Sequence, residues 1–295
     1  MLFVAVSISA ISTYLILSGV SALAKNRVSK VHVPAKERFE ALGYTDDTVT
    51  QKKNYLFSVI DNGKLCKTVI LGLDLSKHSL NILEIPPQTQ IIAGGFTGSV
   101  YEAFETEVYK EIISKSFCLK ISGSVTAEVN AFSGAVSLVG GVELDFKSAT
   151  QIKEHKFTKG KRTIVGEIAS IIASDDTAYI SGDEIRYYLF KSLLSSFASK
   201  LSNIDALEAT SLMLGIIVNE VETDFKVGEL IELVSLFSKV KKGSLGFYIL
   251  PGSAINGGYY VDQEELLSLL NENFIAKDFE LEINDLNFPI ITTEV

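Results

Sequence analysis

The stretch from residue 164 to residue 201 contains the side chains best suited to chemistry. Asp183 lies in the first turn of a predicted helix, where the helix dipole favours negative charge. Arg186 lies on the same helical stripe as Phe190 and later apolar residues, so its guanidinium needs an anionic partner if that stripe is buried. Two partners remain open: Asp183 in an ion pair at the helix start, or the phosphate of a bound ligand.

Composition excludes several kinds of site. The net charge of −9 argues against a nucleic-acid partner, because neutralising phosphates requires a basic surface. Two cysteines and three histidines predict neither a disulfide scaffold nor a zinc site, and a histidine-centred active site is not expected. The glycine-rich segment 93–98 lacks the lysine of a P-loop and the spacing of a Rossmann turn, so it is predicted to be a flexible loop. Arginine is scarce and occurs only at Arg27, Arg38, Arg162 and Arg186.

Residues 1–24 are predicted to form a transmembrane anchor or a signal-like segment. Residues 2–24 contain no charge and are long enough to cross a bilayer as a helix, while the basic region that opens a signal peptide is missing. Residues 25–53 are polar and predict a juxtamembrane linker. By the positive-inside tendency, Lys25, Arg27 and Lys30 would hold the domain that follows in the cytoplasm.

Residues 54–295 are predicted to form one α/β (α+β) domain, a layered structure with a central mixed sheet flanked by helices, because strand and helix patterns alternate along them. Strands are predicted at 54–60, 68–73, 80–85, 117–121, 142–146 and 245–250. Helices are predicted at 34–43 in the linker and at 99–114, 125–138, 165–173, 181–201, 205–221, 226–238 and 263–273.

Several short segments occur in an order that is similar to the extracytoplasmic domain of the LytR-CpsA-Psr family. They are Leu-Glu-Ile-Pro-Pro-Gln-Thr at 83–89, Val-Gly-Gly-Val-Glu-Leu at 139–144, Gly-Glu-Ile-Ala at 166–169, Gly-Asp-Glu-Ile-Arg at 182–186 and Leu-Pro-Gly at 250–252. The resemblance implies proteins that move glycopolymers from a polyprenyl-pyrophosphate carrier to the cell wall of Gram-positive bacteria. It also implies a domain on the extracytoplasmic side of the cell membrane, opposite to the side that the basic residues after the anchor favour.

The family grips the pyrophosphate with several arginines and a Mg²⁺ ion held by aspartates, and this sequence departs from that pattern. Asp183 and Arg186 match the family and are candidates for binding pyrophosphate, together with Lys67 as a point charge. The remaining charged positions are replaced. Pro87 and Gln88 stand for an Arg-Asp pair, Lys67 and Ser137 for aspartates, Ser174 and Asp176 for the arginines of Arg-x-Arg, and Leu189 and Phe190 for Arg-Gln.

These replacements predict that transfer is lost, because phosphoryl transfer depends on cations aimed at the developing charge. No catalytic residue and no Mg²⁺ site is expected in the chain. The sequence therefore predicts a degenerate family member that binds a polyprenyl-linked glycan or lipid, or that modulates active homologues. Two alternatives stay open: a transferase that uses lysines in place of arginines, and an unrelated surface binding module.

Overall fold

The computed structural model describes residues 52–176, 179, 184–201, 221–226, 229, 233, 240, 244–275 and 280–289, with the side chains of 184–187 and 201 excepted. The predicted anchor, the linker helix at 34–43 and nearly all of the helices predicted at 205–221 and 226–238 lie outside these residues. Among the helices that are described, none is both long and apolar enough to span a bilayer.

A mixed sheet of six strands forms the centre of the described fold. Its strands are β1 (Lys52–Asp61), β2 (Lys64–Asp74), β3 (Ser79–Ile85), β6 (Ile121–Glu128), β11 (Val221–Thr223) and β12 (Leu245–Ile249). They lie in the order β11-β6-β1-β2-β3-β12. The pairs β1–β6 and β3–β12 are parallel, and the other pairs are antiparallel. The predicted fold class is confirmed.

Helices cover both faces of this sheet. They are α1 (Val100–Phe104), α2 (Tyr109–Ser116), α3 (Val129–Leu138), α4 (Gly166–Ala173), α5 (Glu184–Leu201) and α6 (Gln263–Asn273). Ile70 and Leu83 belong to a core shared with α2 and α6, whereas Val69 and Ile82 lie in a cluster with Leu194 of α5. Because successive strand residues point to opposite faces, α5 covers the face that carries the odd-numbered residues of β2 and the even-numbered residues of β3.

Four two-stranded antiparallel sheets complete the described strands. They are β4 (Gln90–Ala93) with β5 (Phe96–Ser99), β7 (Val142–Phe146) with β10 (Gly160–Ile164), β8 (Thr150–Ile152) with β9 (His155–Phe157), and β13 (Gly252–Ile255) with β14 (Gly258–Val261). The prediction of a flexible loop at 93–98 is wrong. Gly94 and Gly95 have φ of 61° and 88° and form the tight turn between β4 and β5, which favours glycine at both positions.

Two boundaries differ from the sequence prediction. The strand predicted at 117–121 begins at Ile121 and continues to Glu128, so the helix predicted from residue 125 begins at Val129. The residues before Ile121 leave helix α2 through Cys118, whose φ of 49° cannot continue either a helix or a strand. The single helix predicted at 99–114 is divided into α1 and α2, and Ser99 opens α1 with a capping box to Glu102.

Candidate functional site

A buried ion pair lies where β2 and β3 are covered by helix α5. Glu84 is directly opposite Val69 in the β2–β3 ladder, so Lys67 is its diagonal neighbour on the same face. The Lys67 side chain is 2% exposed and the Glu84 side chain 1% exposed, and Lys67 Nζ lies 3.8 Å from Glu84 Oε1. Two opposite charges are therefore removed from water together.

The loop after helix α4 closes over this pair. Lys67 Nζ donates hydrogen bonds to the Asp175 carbonyl at 2.5 Å and to the Tyr179 hydroxyl at 3.1 Å. The Tyr179 hydroxyl in turn donates to the Glu84 carboxylate. Lys67 Nζ also lies 4.5 Å from the ring centroid of Tyr179 and 5.4 Å from that of Phe190, within the range of cation–π attraction. The ammonium is thus surrounded by oxygen atoms and aromatic faces.

Burial has opposite effects on the two charged groups. Loss of water lowers the pKa of Lys67 and raises the pKa of Glu84, and the attraction between the two groups partly offsets both effects. Glu84 Oε2 is buried without a hydrogen-bond partner. The pair is therefore held by its mutual contact, by Tyr179 and by the Asp175 carbonyl. Removing either charge would leave the other buried without an opposite charge in a medium of low polarity.

The replaced Arg-x-Arg positions lie next to this pair. Asp176 forms an ion pair with Lys64 at 2.8 Å, and its carbonyl accepts a hydrogen bond of 3.2 Å from Gln88 Nε2. Ser174 Oγ accepts a hydrogen bond of 2.7 Å from Lys153 Nζ, which also lies 3.8 Å from the Asp61 carboxylate. Ser174 and Asp176, for which the resemblance implies arginines, are therefore a hydroxyl and an acid, each with a lysine at its side.

The other candidate positions serve packing or lie outside the described part of the chain. Pro87 is buried, and its carbonyl accepts the Tyr101 N–H at 2.8 Å. Ser137 Oγ accepts the N–H of Gly166 at 3.1 Å and so caps helix α4. Leu189 and Phe190 are buried in the core under α5. Arg186 lies in α5, but its side chain and the whole of Asp183 are outside the described residues.

The residues that the structure describes do not fit a Mg²⁺ site of the kind the family resemblance implies. Mg²⁺ requires near-octahedral oxygen ligands, usually including one or two carboxylates. Here the Glu84 carboxylate and the Asp175 carbonyl face the Lys67 ammonium, and the Asp176 carboxylate faces Lys64. Within the described ranges, no group of three or more His, Cys, Asp or Glu residues has the geometry of a metal site. A lysine ammonium occupies the centre of the available oxygen atoms.

Sequence patterns alone do not indicate Glu84, Asp175 or Tyr179 as partners of Lys67. A signal was nonetheless present, because Lys67 and Glu84 are single charges inside apolar runs that predict buried strands. A buried charge must be paired, so two such charges of opposite sign on neighbouring strands indicate each other. The contact with Tyr179 depends on the path of a loop and has no comparable sequence signal.

A central mixed sheet with helices on both faces, and a buried charged cluster at one end of it, are the features expected of a LytR-CpsA-Psr domain. The sequence profile described as the LytR_cpsA_psr family matches residues 23–274, so the chain belongs to this family. The family is one of cell-envelope proteins that transfer cell-wall glycopolymers. The alternative of an unrelated surface module is therefore wrong. A comparison with curated proteins found no match.

Several solved structures share the fold at low sequence identity. TagV from B. subtilis is 19% identical with a TM-score of 0.62, and the match covers 79% of this chain and 99% of TagV. A transcriptional regulator from Enterococcus faecalis is 16% identical with a TM-score of 0.64, covering 80% and 91% of the two chains. TagT bound to LI-WTA is 18% identical with a TM-score of 0.60, covering 75% and 89%.

Proposed function

We propose that this chain is a membrane-anchored member of the family that has lost glycopolymer transfer and retains binding of a lipid-linked glycan. In this role it presents or sequesters the carrier-linked polymer, or modulates active family members. The observation that carries the proposal is the buried Lys67–Glu84 pair, because it fills with an internal cation the position where the family has a metal-binding aspartate. TagT, bound to LI-WTA, supports a lipid-linked glycan as the ligand.

The loss of transfer is supported by the ion pairs that neutralise the lysines near the replaced positions. Each described lysine near the replaced positions already has an acidic partner: Lys64 has Asp176 at 2.8 Å, Lys67 has Glu84 at 3.8 Å, and Lys153 has Asp61 at 3.8 Å. A pyrophosphate entering here would have to displace a carboxylate to gain a cation, and Asp176 would repel it. Lysine also lacks the planar fork with which arginine binds two phosphate oxygens at once. These contacts count against a transferase that uses lysines.

The membrane location is part of the same proposal. Residues 1–24 would serve as the anchor, with the domain on the extracytoplasmic side as in the rest of the family. A topology reporter fused after Val295 tests this placement. Reporter activity restricted to the cytoplasm would contradict it.

Binding without metal is the direct test of the retained function. We expect the full chain in detergent to bind a polyprenyl-pyrophosphate-linked glycan equally well with Mg²⁺ and with EDTA, as measured by microscale thermophoresis. Arg186→Ala should weaken binding by about 10- to 100-fold, the loss expected for a hydrogen bond to a charged group. Arg162→Ala, at an exposed arginine in β10, is the matched control and should bind like the wild type.

Two outcomes would contradict this proposal. One is that the wild-type chain does not bind the lipid-linked glycan, which would contradict the retained binding. The other is binding that requires Mg²⁺, which would show that a metal site is present despite the Lys67 ammonium. An equal loss of affinity in the Arg186 and Arg162 variants would assign the effect to net charge rather than to a ligand contact.

A further inference from the structure

A groove runs beside β12, the outermost described strand of the central sheet on the β3 side. Its volume is about 560 Å³, and it is lined from the α5 side by Tyr188 and Lys191 and from the α6 side by Glu265 and Glu272. Phe247 and Tyr248 of β12 complete its walls. With Tyr259, the groove therefore combines four aromatic side chains with charged groups that can accept and donate hydrogen bonds.

Two of the aromatic side chains along the groove, Tyr248 and Phe247, are held by contacts with the rest of the fold. Tyr248 donates a hydrogen bond of 3.1 Å from its hydroxyl to Asn273 Oδ1, and its ring packs edge-on against Phe274 with centroids 6.3 Å apart. Phe247 packs from the other face of the sheet against the cluster that includes Leu194 of α5. Tyr188 is 48% exposed, the only aromatic side chain among the large exposed hydrophobic residues of the described chain. Lys191 Nζ lies 5.7 Å from its ring centroid.

This combination suits a saccharide. A pyranose ring presents a face of C–H groups that packs on an aromatic ring, and an edge of hydroxyl groups that bond to carboxylates and ammonium groups. Most binding sites pair apolar walls with a few polar groups in the same way. Glu265 and Glu272 outweigh the single charge of Lys191, so the groove favours neutral or amine-bearing sugars over uronic acids.

The groove is joined by hydrogen bonds to the strand that carries the candidate site. The Leu250 N–H donates to the Glu84 carbonyl at 2.9 Å, and the Tyr259 N–H donates to the Gln88 carbonyl at 2.9 Å. The Tyr259 hydroxyl donates to the Leu250 carbonyl at 2.6 Å. Leu250 and Tyr259 also line the groove. Backbone hydrogen bonds thus connect one wall of the groove to the end of β3 and to the residues that follow it.

We propose that the groove beside β12 is a saccharide-binding subsite that holds neutral or amine-bearing sugars of the lipid-linked glycan. This inference rests on the proposed function for the source of the sugar. The contacts to the sugar do not depend on the lipid carrier. The rings of Tyr188 and Tyr248 pack against the sugar faces, and the charged groups of Glu265, Glu272 and Lys191 bond to the hydroxyl groups.

Free trisaccharides test the subsite apart from the lipid carrier. We expect ligand-observed NMR with the full chain in detergent to detect chitotriose and its fully deacetylated form, tri-glucosamine, and to detect no binding of trigalacturonate. Tyr188→Ala should weaken chitotriose binding by about tenfold, the order expected for a lost aromatic contact. Lys200→Ala, at an exposed position of the same helix, is the matched control and should bind like the wild type.

The outcomes separate this inference from the proposed function. The subsite is overturned if neither neutral nor amine-bearing trisaccharide binds, if trigalacturonate binds as well as they do, or if Tyr188→Ala leaves their binding unchanged. A trisaccharide carries no diphosphate and no lipid. Trisaccharide binding in a chain that fails to bind the lipid-linked glycan would support the subsite while contradicting the proposed function.

Discussion

We expect Lys67→Met to lower the free energy of unfolding by about 3–5 kcal/mol, the range seen when one partner of a buried ion pair is removed. Methionine keeps the length of the side chain and removes its charge. The Glu84 carboxylate then stays buried with the Tyr179 hydroxyl as its described partner. Urea unfolding of the full chain in detergent, followed by circular dichroism, measures the change from the midpoint and slope of the transition.

The double variant Lys67→Met/Glu84→Met separates the pair from the packing around it. Replacing both partners of a buried pair with apolar groups is often neutral or stabilising. We therefore expect this variant to recover most of the free energy of unfolding that Lys67→Met loses. Lys64→Met is the matched control, because it makes the same chemical change on the same strand at a side chain that is 56% exposed. It should cost less than about 1 kcal/mol, as surface ion pairs do. A Lys67→Met loss no larger than that of Lys64→Met would contradict the buried pair.

The pH dependence of Lys67→Met follows from the same contact. Burial raises the pKa of Glu84 above its usual value, and Lys67 is the charge that opposes this rise. Without Lys67, the folded chain holds a proton on Glu84 at pH values where the unfolded chain has lost it. Between the ordinary carboxyl pKa and the raised one, the variant therefore becomes more stable as the pH falls. The difference in free energy of unfolding between the variant and the wild type should therefore narrow as the pH falls toward the ordinary carboxyl pKa.

We expect Asp176→Arg to tighten the binding of inorganic pyrophosphate by about 10- to 100-fold, the worth of one charged hydrogen bond. The change places a guanidinium at a position where the family carries one, and it releases Lys64 from its 2.8 Å ion pair. Arginine also matches phosphate oxygens in a two-pronged geometry. Isothermal titration calorimetry with pyrophosphate, repeated at two salt concentrations, measures the affinity and its electrostatic share.

Asp176→Asn distinguishes the two ways in which this substitution can act. It removes the repulsive charge and frees Lys64 without supplying a guanidinium. Its affinity for pyrophosphate should therefore rise by less than about tenfold. Equal gains in Asp176→Arg and Asp176→Asn would show that repulsion alone kept pyrophosphate away. If the wild-type chain bound pyrophosphate as tightly as Asp176→Arg does, positively charged groups that bind pyrophosphate would still be present in the wild type.

The helices and the general layout could be predicted where the sequence signal is local. The helix Gln263–Asn273 was predicted with its observed bounds, because Asp262 caps its start and Leu266 and Leu270 face the core at helical spacing. The strand Val142–Phe146 alternates between buried and exposed residues, which is the strand signal itself. Such features depend on neighbours in the sequence and not on the rest of the fold.

The partners within the candidate site depend on contacts between distant residues and could not be predicted in the same way. The resemblance identified Lys67, Gln88, Ser174 and Asp176 as replaced positions, and the structure brings them together at one end of β2 and β3. Glu84 became a partner of Lys67 only through the register of the β2–β3 ladder, which a sequence leaves open. The strand Ile121–Glu128 was not predicted over its full length, because its many small residues fit a helix pattern equally well.

Transfer activity of the wild-type chain is the most direct test of whether the chain has lost the positively charged groups that would bind pyrophosphate. The full chain in detergent is incubated with radiolabelled polyprenyl-pyrophosphate-linked glycan, wall acceptor and Mg²⁺, with an active family member as the positive control. The charge arrangement around Lys67, Asp176 and Ser174 predicts that labelled polymer joins the acceptor no faster than in the absence of protein. Reproducible transfer or phosphate release above that background would contradict it.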